Sequence, residues 1–333
     1  SFNFIDALKA DSDFKHWTLG IDCNANRLAL SNADLTRLAP KATDTEKYLE
    51  FLNNLIKEQV IDLVHPQPDA EVAVLGSLRH RVNARLFLPS QRTIEICQDK
   101  LATNVILEKA GVSVPATAPY GRGNWRLWPP KVQGRWWLRS KFGAGSSAAL
   151  PVYDAEEAKW WVRYHARHKQ LCISDFILSE YLPGREFAWT SLWRDGELLT
   201  SMGRERVEYL HGRLRVSGQS SSPSVALSVW DGRVNELGVA AVKAIDDKAS
   251  GLFCIDMKEN EKGEPAIMEI NAGRFFTTSN FFARIPVQYV KVALGEDPGP
   301  LKQFNAAPAG YYWIREMDMR CRLVKSPIGP AAF

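Results

Sequence analysis

The stretch GLFCIDMKENEKGEPAIMEINAGR, residues 251–274, decides how the chain is read. Two apolar runs, GLFCIDMK (251–258) and PAIMEIN (265–271), are joined by a charged segment with a glycine suited to a tight turn. The spacing predicts an antiparallel pair centred near Lys262 and Gly263, which sets Asp256 opposite Glu269. Glu269 and Asn271 are two apart on one strand and point to the same side. Asp256, Glu269 and Asn271 then make an oxygen-only face without His or Cys. Such a face suits Mg2+, a hard cation that takes a few carboxylate or amide oxygens and completes its octahedron with water and phosphate oxygens. A solvated hairpin with idle acids is the alternative. Against it, Glu269 sits inside the apolar run AIMEIN, where an unpaired carboxylate is costly to bury.

Upstream, WWLRSKFGAGSS (136–147) reads as a strand carrying Arg139 and Lys141, followed by Gly143, Gly145, Ser146 and Ser147. Glycines let backbone N–H groups approach phosphate oxygens, and the cations offset their charge. A glycine-rich surface hairpin is the plainer reading. The Walker ending Gly-Lys-Ser/Thr and the G-x-S-x-G nucleophile turn are both absent. ILSEYLPGREFAW (177–189) reads as a hairpin with a Pro-Gly turn and acids at Glu180 and Glu186. A hinge of this kind can offer backbone groups to a flat heterocycle, and an acid beyond it can accept ribose hydroxyls.

Working outward, residues 1–10 and 43–59 have helical apolar spacing, HWTLGIDCN (16–24) has strand character, and IDLVHPQPD (61–69) reads as a short buried strand. Helices are expected at 69–86 and at 91–111, the latter broken near Gln98 and Asp99. Helix and strand alternating in this way predict an α/β layer with a parallel sheet, here without its first strand. Beyond an irregular connection at 119–133, strand-like runs at 135–142, 175–182, 186–194, 197–207, 251–258 and 265–271 surround helices at 154–169 and 233–249. That is an antiparallel α+β pattern.

Composition narrows the function classes. The 333 residues carry 42 Lys plus Arg against 38 Asp plus Glu, a net +4 too small for a phosphate-tracking nucleic-acid surface despite 11 Trp. No apolar run reaches the roughly 18 to 20 residues of a membrane span. The odd cysteine count, Cys23, Cys97, Cys172, Cys254 and Cys321, without CxxC, fits reduced thiols and a cytoplasmic location. His165 and His168 lack further ligands nearby for zinc and read as a solvated helix face.

Together with Asp99-Lys100, these motifs in this order resemble the ATP-grasp superfamily over roughly residues 60 to 290. The likeness is to the single-copy branch similar to one half of the carbamoyl-phosphate synthetase large subunit, which includes many carboxylate–amine ligases. Its most specific part is Asp256, Glu269-Ile270-Asn271 and Arg274. The resemblance implies an ATP-grasp fold, α/β plus α+β, with an N-terminal Rossmann-like (pre-ATP-grasp) domain at 1–98. A small subdomain with the flap follows at 99–178, and a large subdomain with the metal site at 179–333. It implies that Lys100, Arg139 and Lys141 meet nucleotide phosphates under a flap of Gly143, Gly145, Ser146 and Ser147. Glu180, Tyr181 and Leu182 would form the adenine hinge, with Glu186 on the ribose. Asp256, Glu269 and Asn271 would hold two Mg2+ ions, with Mn2+ as an alternative, and Arg274 would stand near the transferred phosphoryl group.

The implied activity is an Mg2+- and ATP-dependent ligase that activates a carboxylate as an acyl phosphate and joins it to an amine, releasing ADP and phosphate. Arg139 and Arg274 are the implied catalytic cations; Arg204, Arg206 and Arg274 are substrate candidates. Arg204 and Arg206 read equally as alternating charges on an exposed strand edge. The expected partners are a small carboxylate and an amine, with no nucleic acid and no membrane, and a homodimer is compatible. A nucleotide-binding protein of this fold without ligase activity is the alternative. Ser140 stands where the family commonly has Pro and Ala148 where the flap often has Gly. Cys254 stands where D-alanine:D-alanine ligases carry a substrate-binding Arg, which argues against that activity.

Overall fold

Helix and short strand alternate through the first 98 residues, and the computed structural model, which describes residues 2–121, 128–143, 148–210, 212, 217–218, 222–276 and 284–315, shows how they pair. The elements are α1 (Phe2–Ala10), β1 (Leu19–Asp22), α2 (Ala25–Leu28), β2 (Leu35–Leu38), α3 (Thr45–Gln59), α4 (Asp69–Ser77) and α5 (Gln91–Gln98). β1 and β2 run parallel from Leu19↔Leu35 to Asp22↔Leu38. α3 buries Tyr48, Leu49, Leu52, Leu55 and Ile56, the stripe its 3.6-residue period predicts.

Two expectations fail here, and one element was missed. β2 was not legible at all. Residues 61–69 are not a buried strand: they contribute one parallel bridge, Leu63↔Arg85. Pro66 and Pro68 supply no N–H to a ladder and restrict the residues before them, so pairing stops. The helix expected over 69–86 ends at Ser77 and gives way to a short 3-10 turn at Arg79–Arg81. There the Arg79 side chain takes the Gly76 carbonyl at 3.0 Å and the Pro89 carbonyl at 2.7 Å.

The predicted break at Gln98 and Asp99 is a helix cap. Asp99 Oδ1 accepts from the backbone N–H of Leu101 at 2.9 Å and of Ala102 at 3.1 Å, starting α6 (Lys100–Lys109) at Lys100. Next come β3 (Thr117–Pro119), β4 (Trp136–Ser140), β5 (Leu150–Val152), α7 (Ala155–Lys169) and β6 (Phe176–Glu180). The strands form an antiparallel sheet in the order β3-β6-β4-β5, with Leu138, Val152 and Phe176 packed against Ala158 and Val162 of α7. His165 corrects the solvated-face reading. It is 3% exposed, its ring against Trp161 and Phe176, because the apolar stripe of α7 runs through it.

The rest comprises β7 (Glu186–Arg194), β8 (Glu197–Tyr209), β9 (Pro223–Val229), α8 (Gly232–Ile245), β10 (Gly251–Glu259), β11 (Pro265–Ala272), α9 (Ile285–Leu294) and β12 (Tyr312–Ile314). They build an antiparallel sheet in the order β11-β10-β7-β8-β9-β12. The stretch 177–189 is therefore not a hairpin, since β6 and β7 lie in different sheets and Pro183-Gly184 crosses between them. Gly184 N donates to Glu259 O at 3.0 Å, so close that a Cβ on Gly184 would stand 2.5 Å from that of Glu259.

Alternation along β10 divides the core. Phe253, Ile255 and Met257 pack with Trp189 and with Val234, Ala241 and Val242 of α8. Leu252 and Cys254 face the other way, onto Phe275 and the Ile285 and Tyr289 side of α9. That second face continues into Asp256 and Lys258. Among the described residues the cysteines, Cys23, Cys97, Cys172 and Cys254, are free thiols, and no helix is long and apolar enough to cross a membrane. Cys321 lies outside the described residues.

Candidate functional site

The site starts from the β10–β11 register. Asp256 pairs with Glu269 and Cys254 with Asn271, as the sequence spacing predicts. A bulge after Asp256 brings Met257 opposite Ile267 and leaves Met268 as the extra residue. Asn271 Nδ2 donates to Cys254 O at 3.3 Å and to Asp256 Oδ2 at 3.4 Å, which leaves its amide oxygen for the guanidinium of Arg274. Arg274 also donates to Asp69 at the start of α4, tying the strand pair to the front of the chain.

Two cations reach this face from other elements. Lys100, the first residue of α6, sits 3.4 Å from Glu269 Oε1 and donates to Gly143 O at 2.7 Å. Arg139, on β4, donates from Nη2 to Met268 O at 3.1 Å, and its buried Nε has no partner. Burial lowers the Arg139 pKa, opposed by Glu269 and Asp256. Burial alone would raise Glu269, but Lys100, Arg139 and Arg274 together hold it below the usual carboxylate range. Asp256 is pushed up to about 6, first by burial and then by Glu269 and Glu186, against the pull of Arg206. A cleft of about 450 Å³ opens here, lined by Asp69, Lys100, Gly143, Glu269 and Asn271. Gly143 has φ 84°, a left-handed conformation that favours glycine. Lys141 is placed differently, its ammonium 4.9 Å from the Phe142 ring centroid. Gly145, Ser146 and Ser147 lie outside the described residues.

A second cleft, about 310 Å³, is lined by Arg139, Glu180, Tyr181, Leu182, Lys258 and Met268. Glu180 Oε2 accepts from Ala116 N at 3.3 Å, and the Tyr181 ring lies 4.7 Å from the Arg135 guanidinium. Lys258 was missed. Its place two residues after Asp256 on one strand is the signal that could have found it. Burial lowers its pKa, opposed by Glu186, whose carboxylate is 3.9 Å away.

The sequence-based roles for Glu186 and Arg206 meet a different arrangement. Arg206 donates from Nη1 to Glu186 at 2.6 Å and from Nη2 to Asp256 at 2.5 Å, and Tyr209 donates to the other Glu186 oxygen. Glu186 thus faces Arg206 and Tyr209, not the hinge cleft. Arg204 and Arg206 are 2% and 8% exposed, which removes the exposed-edge reading. β8 is an inner strand whose register places Arg204 beside Ala188 and Arg206 beside Glu186.

The donor set fits Mg2+. Among the described residues no group of three or more His, Cys, Asp or Glu is arranged to hold a metal. Asp256, Glu269 and Asn271 instead offer two carboxylates and an amide, which leaves octahedral positions for water and phosphate oxygens. The unpartnered Nε of buried Arg139 marks a place where an anion is wanted beside them.

No family model and no curated protein matches the sequence. Solved structures do. The chain is similar to the L-amino acid ligase of Bacillus licheniformis, at 14% identity and TM-score 0.62 over 86% of this chain and 78% of that one. It is similar to the N5-carboxyaminoimidazole synthetase of Staphylococcus aureus, at 13% identity and TM-score 0.64 over 91% and 76%. A third likeness is to the biotin carboxylase domain dimer of the Hydrogenobacter thermophilus 2-oxoglutarate carboxylase, solved with MgADP, ADP and bicarbonate. There the identity is 15% and the TM-score 0.66, over 93% of this chain and 70% of that one. The fold of the chain is the ATP-grasp fold.

Proposed function

We propose that this chain is an Mg2+- and ATP-dependent ligase that activates a carboxylate as an acyl phosphate and joins it to an amine, releasing ADP and phosphate. The observation that carries the reading is the convergence of Asp256, Glu269 and Asn271 from one sheet with Lys100 and Arg139 from separate elements. For a division at 1–98, 99–178 and 179–333, the apolar cluster around Tyr48 and Val72 lies within the first unit and that around Leu138 and Val162 within the second, while Phe4, Leu8, Cys97 and Leu107 pack with the large sheet. We place the chain in the single-copy branch similar to one half of the carbamoyl-phosphate synthetase large subunit. A similar structure is an L-amino acid ligase, and another was solved with MgADP as a dimer; a homodimer and a cytoplasmic location suit this reading.

In this scheme the cleft beside Arg139, Glu180, Tyr181 and Leu182 takes the adenine, with Lys258 at its wall. Lys100 and Arg139 hold phosphate oxygens, under a flap that includes Gly143, Gly145, Ser146 and Ser147, with Lys141 at its base. Asp256, Glu269 and Asn271 hold two Mg2+ ions; Mn2+ would suit the same oxygens. Bound there, Mg2+ supplies positive charge to the phosphate oxygens. A carboxylate and a γ-phosphate are both anions, so the step between them needs the fixed positive charge of Lys100, Arg139 and Arg274. The carboxylate oxygen attacks phosphorus, ADP leaves, and the amine then displaces phosphate from the acyl carbon. Glu186 reaches a ribose only by giving up Arg206 or Tyr209.

Hydroxylamine tests the reading without knowledge of the natural amine. Incubated with ATP, Mg2+ and a carboxylate panel, the protein is expected to form a hydroxamate together with ADP, and Glu269→Ala to form neither. Tight ATP binding without turnover for any carboxylate would overturn it.

A further inference from the structure

Arg204 is 2% exposed, and its Nε and Nη2 make no hydrogen bond among the described residues. Those two atoms form one edge of the guanidinium, the fork that takes a carboxylate through two parallel N–H···O bonds. The chain uses this edge elsewhere. Arg185 holds Glu259 through Nε at 3.1 Å and Nη2 at 2.8 Å, and Arg284 holds Asp11 through Nε at 2.6 Å and Nη2 at 3.0 Å. In Arg204 the flat face is covered instead: its guanidinium carbon lies 4.7 Å from the centroid of the Phe276 ring, which also stacks on Arg206 at 5.4 Å. Stacking fixes the plane of the group and leaves its fork free.

Among the described groups that act on Arg204 the acid is Asp256, and its Oδ1 already accepts from Arg206. Arg206 spends its two terminal nitrogens on Glu186 and Asp256. Arg315 adds a like charge. Burial first, and then Arg206, lowers the Arg204 pKa to about 9, which leaves it charged at pH 7. A buried, charged fork without an acceptor is costly, and a site built to meet a particular anion is a way to keep one.

Its place in the sheet says which anion. β8 is separated from β10 by β7 and from β11 by β7 and β10. At about 4.8 Å per strand, Arg204 stands roughly 14 Å across the sheet from Glu269. Arg206, two residues along β8, reaches Asp256 on β10 and no further, so a carboxylate attacking phosphorus on the β11 side of Glu269 lies beyond the strand that the Arg204 fork can serve.

We infer that Arg204 anchors a second, non-reacting carboxylate, carried by one of the two molecules being joined. The position of the reacting group rests on the ligase reading above; the anchor rests on Arg204 itself. Either a dicarboxylic acid or an amine bearing a carboxylate, such as an α-amino acid, supplies this chemistry.

Isothermal titration of the full chain separates the sources. In one arm, malonate, succinate, glutarate and adipate are compared with monocarboxylates of matching length; in the other, α-amino acids are compared with simple alkylamines. In one arm the second carboxylate is expected to tighten binding by about 10- to 100-fold, the scale of hydrogen bonds to a charged group. Arg204→Met should abolish the difference and Arg204→Lys should keep part of it. If the second carboxylate brings no advantage to the wild type in either arm, or if the advantage survives Arg204→Met, the inference is overturned. The wild-type comparison holds even if a variant fails to fold. Carboxylate binding that follows Arg204 while no carboxylate yields ADP would sink the ligase reading and leave the anchor standing. ADP release with no advantage for a second carboxylate would do the reverse.

Discussion

Arg206 Nη2 lies 2.5 Å from Asp256 Oδ1, so the carboxylate proposed to hold a metal is also held by a permanent protein cation. The same guanidinium bridges to Glu186, and all three side chains are largely buried. Removing Arg206 leaves two acids buried without it. Arg206→Met is expected to lower unfolding stability by about 3–5 kcal/mol, the usual scale for breaking a buried ion pair from one side. Urea unfolding checks this. In a double-mutant cycle, Glu186→Gln should recover part of the loss; strict additivity would mean that the pair is not coupled.

Gly184 carries the chain between the sheets against the backbone of Glu259. A Cβ at this point also meets Glu259 O at 3.0 Å, so Gly184→Ala must shift the crossing that follows Glu180, Tyr181 and Leu182. The expected outcome is weaker binding of a fluorescent ATP analogue, with a modest loss of stability of about 1–3 kcal/mol. Unchanged nucleotide affinity would show that the crossing does not shape the base cleft.

Arg139 lines the cleft beside Glu180 and Tyr181, donates to the Met268 carbonyl next to Glu269, and keeps Nε unpaired among the described residues. Arg139→Met should weaken ATP binding by about 10- to 100-fold through the lost charged hydrogen bonds. Arg139→Lys should fall between, because a lysine keeps the charge and loses the fork. Equilibrium dialysis with labelled ATP measures both.

His65 gives the fold a pH dependence. Its ring packs 4.5 Å from Phe4 and 5.5 Å from Phe275, and Nδ1 meets the Tyr289 hydroxyl at 3.0 Å. Burial is the main cause that lowers its pKa from 6.5 to about 3. Between those values the unfolded chain binds a proton that folded His65 refuses. Stability therefore falls as pH drops from 6.5 towards 3 and is insensitive to this group above that window, with a slope of up to about 1.4 kcal/mol per pH unit. Urea midpoints taken down to pH 4.5 should show this slope in the wild type, and His65→Gln should flatten it.

Much of this was legible because strand chemistry is periodic. The turn at Lys262 and Gly263 and the apolar runs beside it fixed the Asp256–Glu269 register, and the break expected near Gln98 and Asp99 is where Asp99 caps the helix that presents Lys100. Arg206 shows where reading stopped. Alternation places it on the site face, but that it spans to Glu186 and Asp256 depends on the order β10-β7-β8, which local pattern does not specify. The 177–189 crossing failed similarly, since a Pro-Gly turn between two strands looks the same whether they pair or part. β2 was missed and residues 61–69 were misread because these segments are short and only partly buried, with too little alternation to separate strand from loop.

The acyl phosphate is the central claim, and the fate of the carboxylate oxygen tests it most directly. A carboxylate that forms a hydroxamate is labelled with heavy oxygen and turned over with ATP, Mg2+ and an amine, and the released phosphate is examined by mass spectrometry. The account predicts ADP as the nucleotide product and one labelled oxygen in each phosphate. Unlabelled phosphate accompanying amide product, or AMP in place of ADP, would contradict it.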